Sequence, residues 1–327
     1  MRTVAVFGAY GHTGRFVVEE LVARGFAPLL LGRDEERLRA VGHPYRVASV
    51  TDIDLTGAEA VINTAGPFAS TATPVISAAS KTGIPYVDVA AEIEATADTL
   101  RQGSGGIPVV PAMAFFGGLG DLLATTAMGD WDTADEAHIA YGLSSWHPTA
   151  GTVAAGVVSR DRRGGRRVRY TGGRLDYYDA AGDLPVLDWD FPDGPRPVLA
   201  GFSMADIVTV PSHLRIPEVT TYMTVAAARD LAAAGERSPE RFTVDAVVRR
   251  GGEQRRATVT GEDIYAVSAP LAAEAVARIL DGRTLTTGVA SAGRMFDAPD
   301  FLRSLSRHLS LTAGPRNAAS RAGAEAG

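Results

Sequence analysis

"VFGAYGHTGR", residues 6–15, begins at the end of an apolar run and closes into a helical pattern, with Gly8, Gly11 and Gly14 three residues apart. A turn of this kind lets backbone approach backbone, because three of its positions carry no Cβ. The preceding run, Thr3–Phe7, is rich in β-branched and apolar residues and predicts a buried parallel strand. After the turn, Phe16, Val17, Leu21 and Val22 recur at helical spacing, and Gly25 stands where a helix C-terminal glycine belongs. Strand, glycine turn and helix together form the arrangement in which N–H groups at a helix N-terminus meet a pyrophosphate. In that reading Gly8 makes the tight turn, Gly11 permits close approach and Gly14 lets the helix pack on the sheet. No Lys followed by Ser or Thr completes the turn, which excludes a P-loop.

Outward from the turn, "PLLLG" at 28–32 predicts a second strand, and Asp34 caps the short polar helix of "RDEERLRAVG". "YRVASV" at 45–50 and "AEAVINTAG" at 58–66 predict two more strands. A helix is expected over 73–82 with Pro74 in its first turn, then strands at 84–90 and 107–115 separated by the helical "EIEATADTLRQG". This alternation predicts an α/β class with a Rossmann-type doubly wound parallel sheet over 1–125. From about residue 135 strand-like segments follow without regular helices: "EAHIAYGL", "RRVRYTGGRL", "VTTYMTVAAA", "RFTVDAVVRR" and "RRATVTG". Gly251–Gly252 marks a hairpin between the last two, and one helix is expected near "TAGTVAAGVVSR". The expectation for 126–265 is a second α+β domain with a mixed, largely antiparallel sheet. A C-terminal helical segment, 266–312, carries a well-patterned helix at 268–282. Residues 180–200, rich in Pro and Gly, read as a long ordered loop, and 313–327, with no large apolar residue, as a disordered tail.

Composition narrows the function classes. The 327 residues are 46% hydrophobic and 21% charged, an ordinary globular balance for a chain long enough for two domains. A net charge of −6 supplies no overall field for nucleic acid or an anionic membrane surface. The densest basic stretch, "RDRRGGRRVR" at Arg160–Arg169, reads as a solvated loop entering a strand. The absence of Cys excludes thiol nucleophiles, disulfides and thiolate metal sites, and no His pair has metal-ligand spacing. "MRTVAVFG" lacks the features of a secretory signal and no apolar run is long enough to span a bilayer, so a cytoplasmic protein is expected. Lys81 is the one Lys among 32 basic side chains, and Ser77 stands four residues before it. A catalytic Tyr with Lys four residues later is therefore excluded.

Several positions point to a cofactor. Where NAD-selective turns place an acidic residue, at the end of the second strand, this chain has Gly32 followed by Arg33. A guanidinium beside an uncrowded glycine suits a 2′-phosphate, so NADP(H) is expected, with Arg15 as a second contact and Asp34 as the alternative reader of a ribose. Tyr10, His12 and Thr13 complete the turn around the pyrophosphate. Asn63, Thr64, Ala65, Gly66 and Pro67 end the fourth strand and leave room for the nicotinamide ribose. In "YVDVAAE", Asp88 suits a structural hydrogen bond, whereas Glu92 suits either an acid, base or orienting role or a helix cap. His147 and His213, each beside a proline, can supply a proton or serve as ordinary loop residues.

Taken in order, "VFGAYGHTGR", "LLLGRDEERL", "VINTAGPF" and "YVDVAAE" resemble the NADP-binding half of saccharopine dehydrogenase-like reductases, the group that includes trans-acting enoyl reductases. "GEDIYAVSAPLAAEAVARIL" and "TTGVASAGRMFDAPDFL" resemble that group's closing helix and the segment after it. The resemblance covers about 1–125 and 260–305 and implies a Rossmann domain, an inserted second domain and a C-terminal helix that returns to the first. By position it carries cofactor contact to Gly8, Gly11, Gly14, Arg33, Thr64, Ala65 and Gly66. It further implies NADPH-dependent reduction of a C=C, C=O or C=N bond in a small or carrier-bound substrate; a homodimer is compatible with it. Many relatives place a "GFDSIPSD"-like segment after the sixth strand. Here it reads "AFFGGLGD", 114–121, with Asp121 retained as a third acid–base candidate beside Glu92 and His147. The competing reading is a non-catalytic NADP-binding sensor or regulator, which needs the cofactor cleft but no shielded pocket of polar groups.

Overall fold

The computed structural model describes residues 1–180, 182–231 and 240–314. The first half alternates strands and helices: β1 (Thr3–Phe7), α1 (His12–Ala23), β2 (Ala27–Gly32), α2 (Glu35–Val41) and β3 (Tyr45–Val47). There follow β4 (Ala60–Asn63), α3 (Phe68–Thr82), β5 (Tyr86–Asp88), α4 (Ile93–Arg101) and β6 (Val109–Val110). The six strands form one parallel sheet in the order β3-β2-β1-β4-β5-β6. Strand order reverses between β1 and β4, so a crevice opens at their carboxyl ends, where the glycine turn lies.

A π-type turn over Phe115–Leu119 leads into α5 (Gly120–Met128) and β7 (Glu136–Leu143). Then come α6 (Ala150–Arg162), β8 (Arg167–Thr171), β9 (Arg174–Tyr178), β10 (Val186–Phe191), β11 (Gly194–Ala200) and α7 (Asp206–Thr209). The chain continues through β12 (Glu218–Thr224), α8 (Val225–Leu231), β13 (Arg241–Arg250), β14 (Glu253–Glu262) and α9 (Ser268–Leu280). It closes with α10 (Ala292–Met295), α11 (Ala298–Ser304) and β15 (Ser310–Gly314). The second sheet runs β10-β11-β12-β7-β13-β14-β15, with the β8–β9 hairpin attached to β12. Only β12 and β7 pair in parallel, so the sheet is mixed and largely antiparallel as expected.

Alternation along β1 sends Val4 and Val6 to one face and Ala5 and Phe7 to the other, and each face has its own cover. Ala5 and Phe7 meet Ala72, Val75, Ile76 and Ala79 of α3. Val4 and Val6 belong to a core that continues through α5 and α9 to Val244 and Val259 of the second sheet. The two sheets are thus joined through one apolar interior. α9 packs on α1 and carries Glu274, which pairs with Arg24 of α1 and with the buried Arg278; Arg278 reaches Asp300 of α11 at 2.8 Å.

Several expectations need correction. The strands expected at 45–50 and 107–115 shrink to Tyr45–Val47 and Val109–Val110. α3 starts at Phe68 rather than 73, so Pro74 lies inside the helix. The two N–H groups at its start, of Phe68 and Ala69, are held by the distant Glu92, a partner that local spacing does not announce. The 180–200 segment is not a loop: β10 and β11 form a hairpin. Pro195 and Pro197 are tolerated there because β11 pairs with β12 only from Val198 onward, leaving no partner for the missing N–H. Arg160–Arg162 end α6 rather than lying in a loop, and Ala313 and Gly314 of the expected tail belong to β15; the rest of that tail lies outside the described residues.

Burial alone would raise the pKa of Glu274, but hydrogen bonds from Arg278 and Arg24 outweigh it and hold the carboxylate below its ordinary range. Glu274→Ala, which leaves the buried Arg278 with Asp300 alone, is expected to cost about 2 kcal/mol in urea unfolding at pH 7. An unchanged midpoint would mean that this pairing does not join α1, α9 and α11.

Candidate active site

At the glycine turn Gly8 has φ +90°, and its N–H donates to the Leu31 carbonyl at 2.8 Å. A Cβ at Gly14 would lie 2.3 Å from the Gly8 carbonyl oxygen and 2.9 Å from Thr64 Oγ1, so only glycine lets α1 start this close to β4. Thr64 in turn donates through N and Oγ1 to the Phe7 carbonyl at 2.8 and 3.0 Å. α1 begins at Gly11 without a side-chain cap and has no acidic residue in its first turn. Asp34, Thr149 and Asp297, by contrast, cap α2, α6 and α11. No side chain caps this N-terminus among the described residues, the helix end whose dipole favours an anion.

At the end of β2, the Tyr10 ring fills the space that a side chain at Gly32 would need, and Tyr10 Oη accepts from the Arg33 N–H at 3.3 Å. The Arg37 guanidinium stacks over the same ring, 4.4 Å from its centroid. Asp34 Oδ1 accepts from the Arg37 N–H at 3.0 Å and is committed to its cap. Arg33 is exposed and its guanidinium has no ion pair among the described residues. Arg37 was missed in the sequence; its signal was the four-residue spacing from Arg33.

The end of β4 is built by buried polar groups. Asn63 donates through Nδ2 to Thr71 Oγ1 and Tyr86 Oη, both at 3.1 Å, and accepts from the Ala65 N–H at 3.0 Å. Its side chain therefore shapes the turn rather than facing the cleft. Asp88 takes the expected structural place, accepting from the N–H groups of Ala90 and Ala112 at 3.0 and 2.7 Å. Glu92 accepts from the Phe68 and Ala69 N–H groups at 2.7 and 3.1 Å, so it caps α3 rather than its own helix. Burial raises the pKa of both carboxyls.

α6 crosses the crevice. At its start the Thr149 N–H donates to Tyr265 Oη at 3.2 Å, and Thr152 Oγ1 lies 2.9 Å from the same oxygen. The Tyr265 ring meets His12 of the glycine turn edge to face, with centroids 5.3 Å apart. Toward the other end, Ser159 donates to Glu94 of α4 at 2.9 Å and Arg162 pairs with Asp98. From Thr152 to Ser159 a helix rises about 10 Å. That matches the two strand spacings, also about 10 Å, from β1 across β4 to β5. The helix therefore straps the carboxyl ends of these strands, with Thr152, Ala155 and Ser159 as its small inner residues and Val153 and Val157 exposed outside.

His147 precedes this strap, between Trp146, whose Nε1 donates to Tyr265 Oη at 3.3 Å, and the Thr149 cap. Its Nδ1 is shielded from solvent and has no partner among the described residues. Trp146 packs on Phe116 and Phe116 on Tyr141, with centroids 5.1 and 4.8 Å apart. Tyr141 donates to Asp206 Oδ1 at 2.8 Å. Asp206 is fully buried, its Oδ2 has no partner among the described residues, and desolvation pushes its pKa up to about 7. Asp121 and His213 are not brought to the glycine turn but pair with one another near the β6 edge, at 2.7 Å. Among the described residues no cluster of three metal-ligating side chains occurs, and no helix is long and apolar enough to cross a membrane.

No family model and no curated protein sequence matches the chain. Among solved structures, the apo form of saccharopine dehydrogenase (L-Glu forming) from Saccharomyces cerevisiae superposes with a TM-score of 0.65 at 10% identity, covering 96% of this chain and 100% of that one. The chain has the saccharopine dehydrogenase fold. Gre2 of Candida albicans in complex with NADPH is similar over 28% of this chain and 38% of its own, at 19% identity and a TM-score of 0.26. A putative NAD-dependent epimerase/dehydratase from Bacillus halodurans covers 30% and 55%, at 25% identity and a TM-score of 0.25. The saccharopine dehydrogenase fold agrees with the expected pairing of a Rossmann sheet with a second mixed sheet.

Two outcomes test this geometry. Tyr265→Phe removes the oxygen that holds the start of α6, and amide exchange in that helix should accelerate about tenfold while β1 and β4 keep their protection. Unchanged exchange would show that α6 is held otherwise. Asp206 keeps its proton in the folded protein while it ionises in the unfolded chain, so stability falls as pH rises from about 4 to about 7. Asp206→Asn should flatten that fall by up to roughly 1 kcal/mol per pH unit, as read by urea midpoints across the interval.

Proposed function

We propose that the protein is an NADP(H)-dependent oxidoreductase whose cofactor lies in the crevice between the glycine turn and the end of β4. The observation that carries this reading is the bare N-terminus of α1, left without a side-chain cap directly behind a glycine turn pressed against Thr64. The pyrophosphate would be held by the backbone of Gly8, Gly11, His12, Thr13 and Gly14, with Arg15 exposed beside them. The nicotinamide ribose would lie along Thr64, Ala65, Gly66 and Pro67. Arg33 and Arg37 would hold a 2′-phosphate, beside an Asp34 that spends one carboxylate oxygen, Oδ1, on its helix cap. Bound there, the nicotinamide supplies a hydride.

The chain's own residues then have distinct tasks. α6 screens the reacting centre from water, and Trp146 and Tyr265 bound the acceptor. His147, with its open Nδ1, holds the proton that balances hydride transfer to a C=C, C=O or C=N bond. Glu92 and Asp121 drop out as proton donors because both are already hydrogen-bonded within the protein. The exposed Val153 and Val157, followed by Arg160, would meet a carrier if the acceptor is carrier-bound. A sensor without turnover draws on the same commitment of Glu92 and Asp121.

Fluorescence titration should show NADPH binding more tightly than NADH, with Arg33→Ala or Arg37→Ala each reducing the preference about tenfold, the equivalent of one charge-assisted contact. A screen of enoyl-thioesters, ketones and imines should then reveal NADPH oxidation that His147→Gln lowers in kcat and leaves nearly unchanged in cofactor affinity. No NADPH binding at millimolar concentration overturns the reading. Tight binding without oxidation of any acceptor class would favour the sensor.

A further inference from the structure

The Asp121–His213 pair lies in a second polar concavity beside β6, away from the glycine turn. Its walls are Leu100, Ser212, His213, Val289, Ala290, Ser291 and Arg294, around about 330 Å³. Val289 bridges to Val109 at the outer edge of the parallel sheet. That edge is three strand spacings, about 14 Å, from β1 and its turn.

The chemistry of the lining is one-sided. Asp121 is wholly buried and both its oxygens are taken: Oδ1 accepts from His213 Nε2 and Oδ2 from the Gly293 N–H, each at 2.7 Å. The carboxylate therefore fixes the ring, with Nε2 carrying a proton, and offers the concavity no free acceptor. The His213 side chain is 6% exposed. Ser212 Oγ donates to the Thr209 carbonyl at 2.6 Å and lies 3.1 Å from the buried Ser291 Oγ. Arg294 is exposed at the rim, and its guanidinium has neither ion pair nor hydrogen bond among the described residues. Gly293 permits this assembly, since a Cβ there would lie 2.1 Å from Thr125 Oγ1 and 3.0 Å from His213 Nε2.

We infer that this concavity is a second ligand site, selective for a small oxyanion, phosphate or carboxylate, carried on a short apolar stem. Arg294 supplies the charge and Ser291, 3.1 Å from Ser212 Oγ, the hydroxyl, while Ser212 and the His213 ring, whose protons go to the Thr209 carbonyl and Asp121, shape the wall. Leu100, Val289 and Ala290 receive the stem. At about 330 Å³ the concavity is at the small end of ligand pockets and suits a group of this size. Asp121 heads α5, which joins the Phe115–Leu119 turn, so a ligand here bears on the segment that follows β6.

The test is a titration of the full chain with inorganic phosphate, and separately with acetate, in the presence of saturating NADPH. Imidazole ¹⁵N resonances report it, with His213 assigned through the conservative His213→Gln variant. At least one anion should shift the His213 signals saturably while those of His12 stay still. Arg294→Ala, an exposed position that leaves the fold intact, should weaken that binding about tenfold. Phosphate alone acting would identify a phosphate ester site; acetate alone, a carboxylate site. The inference is overturned if neither anion moves His213, or if Arg294→Ala binds as the parent does. If NADPH itself fails to bind, the cofactor reading falls; the His213 titration, read against the His12 signal, still decides this site.

Discussion

A Cβ at Gly14 would lie 2.3 Å from the Gly8 carbonyl and 2.9 Å from Thr64 Oγ1, and the close approach that glycine permits there governs the rest of the molecule. Because α1 can start so near the sheet, its N-terminus, without a side-chain cap, lies at the crevice where strand order reverses. Thr64 closes the other side by bonding back to Phe7, so β1, α1 and the end of β4 form one unit. The His12 ring, projecting from that unit, is what Tyr265 and the start of α6 settle against.

Buried carboxylates are used mainly as structural acceptors. Glu92 starts α3, Asp88 holds the chain after β6, Asp121 aligns His213, and Glu274 links three helices. In a protein interior an unpaired N–H or guanidinium is costly, and a carboxylate with two oxygens satisfies two such groups at once. A carboxylate so engaged is held in place by the groups it accepts from. His147 is placed differently, with an Nδ1 that has no protein partner among the described residues.

Much of the architecture was legible from local pattern. The strand, turn and helix around "VFGAYGHTGR", the Asp34 cap, the Gly251–Gly252 hairpin and the long α9 all rest on spacings within a few residues. The failures share a cause, which is dependence on a distant partner. α3 starts five residues early because Glu92 reaches it across 24 positions. The proline-bearing β11 is a strand because β10 pairs along it and β12 does not reach its prolines. Arg37 joined the site through a stack on Tyr10, 27 residues away, and Asn63 left it through hydrogen bonds to Thr71 and Tyr86.

By itself the sequence determined the fold class and the place of the crevice, because glycine spacing and strand periodicity act through backbone geometry that neighbouring residues control. It also placed Arg33 beside Gly32, a position set by strand length alone. Tertiary structure decided which polar groups remain free. Glu92 and His147 were both candidates as residue types, and a hydrogen-bonding group is available for chemistry only after the folded neighbours have taken or spared its lone pairs.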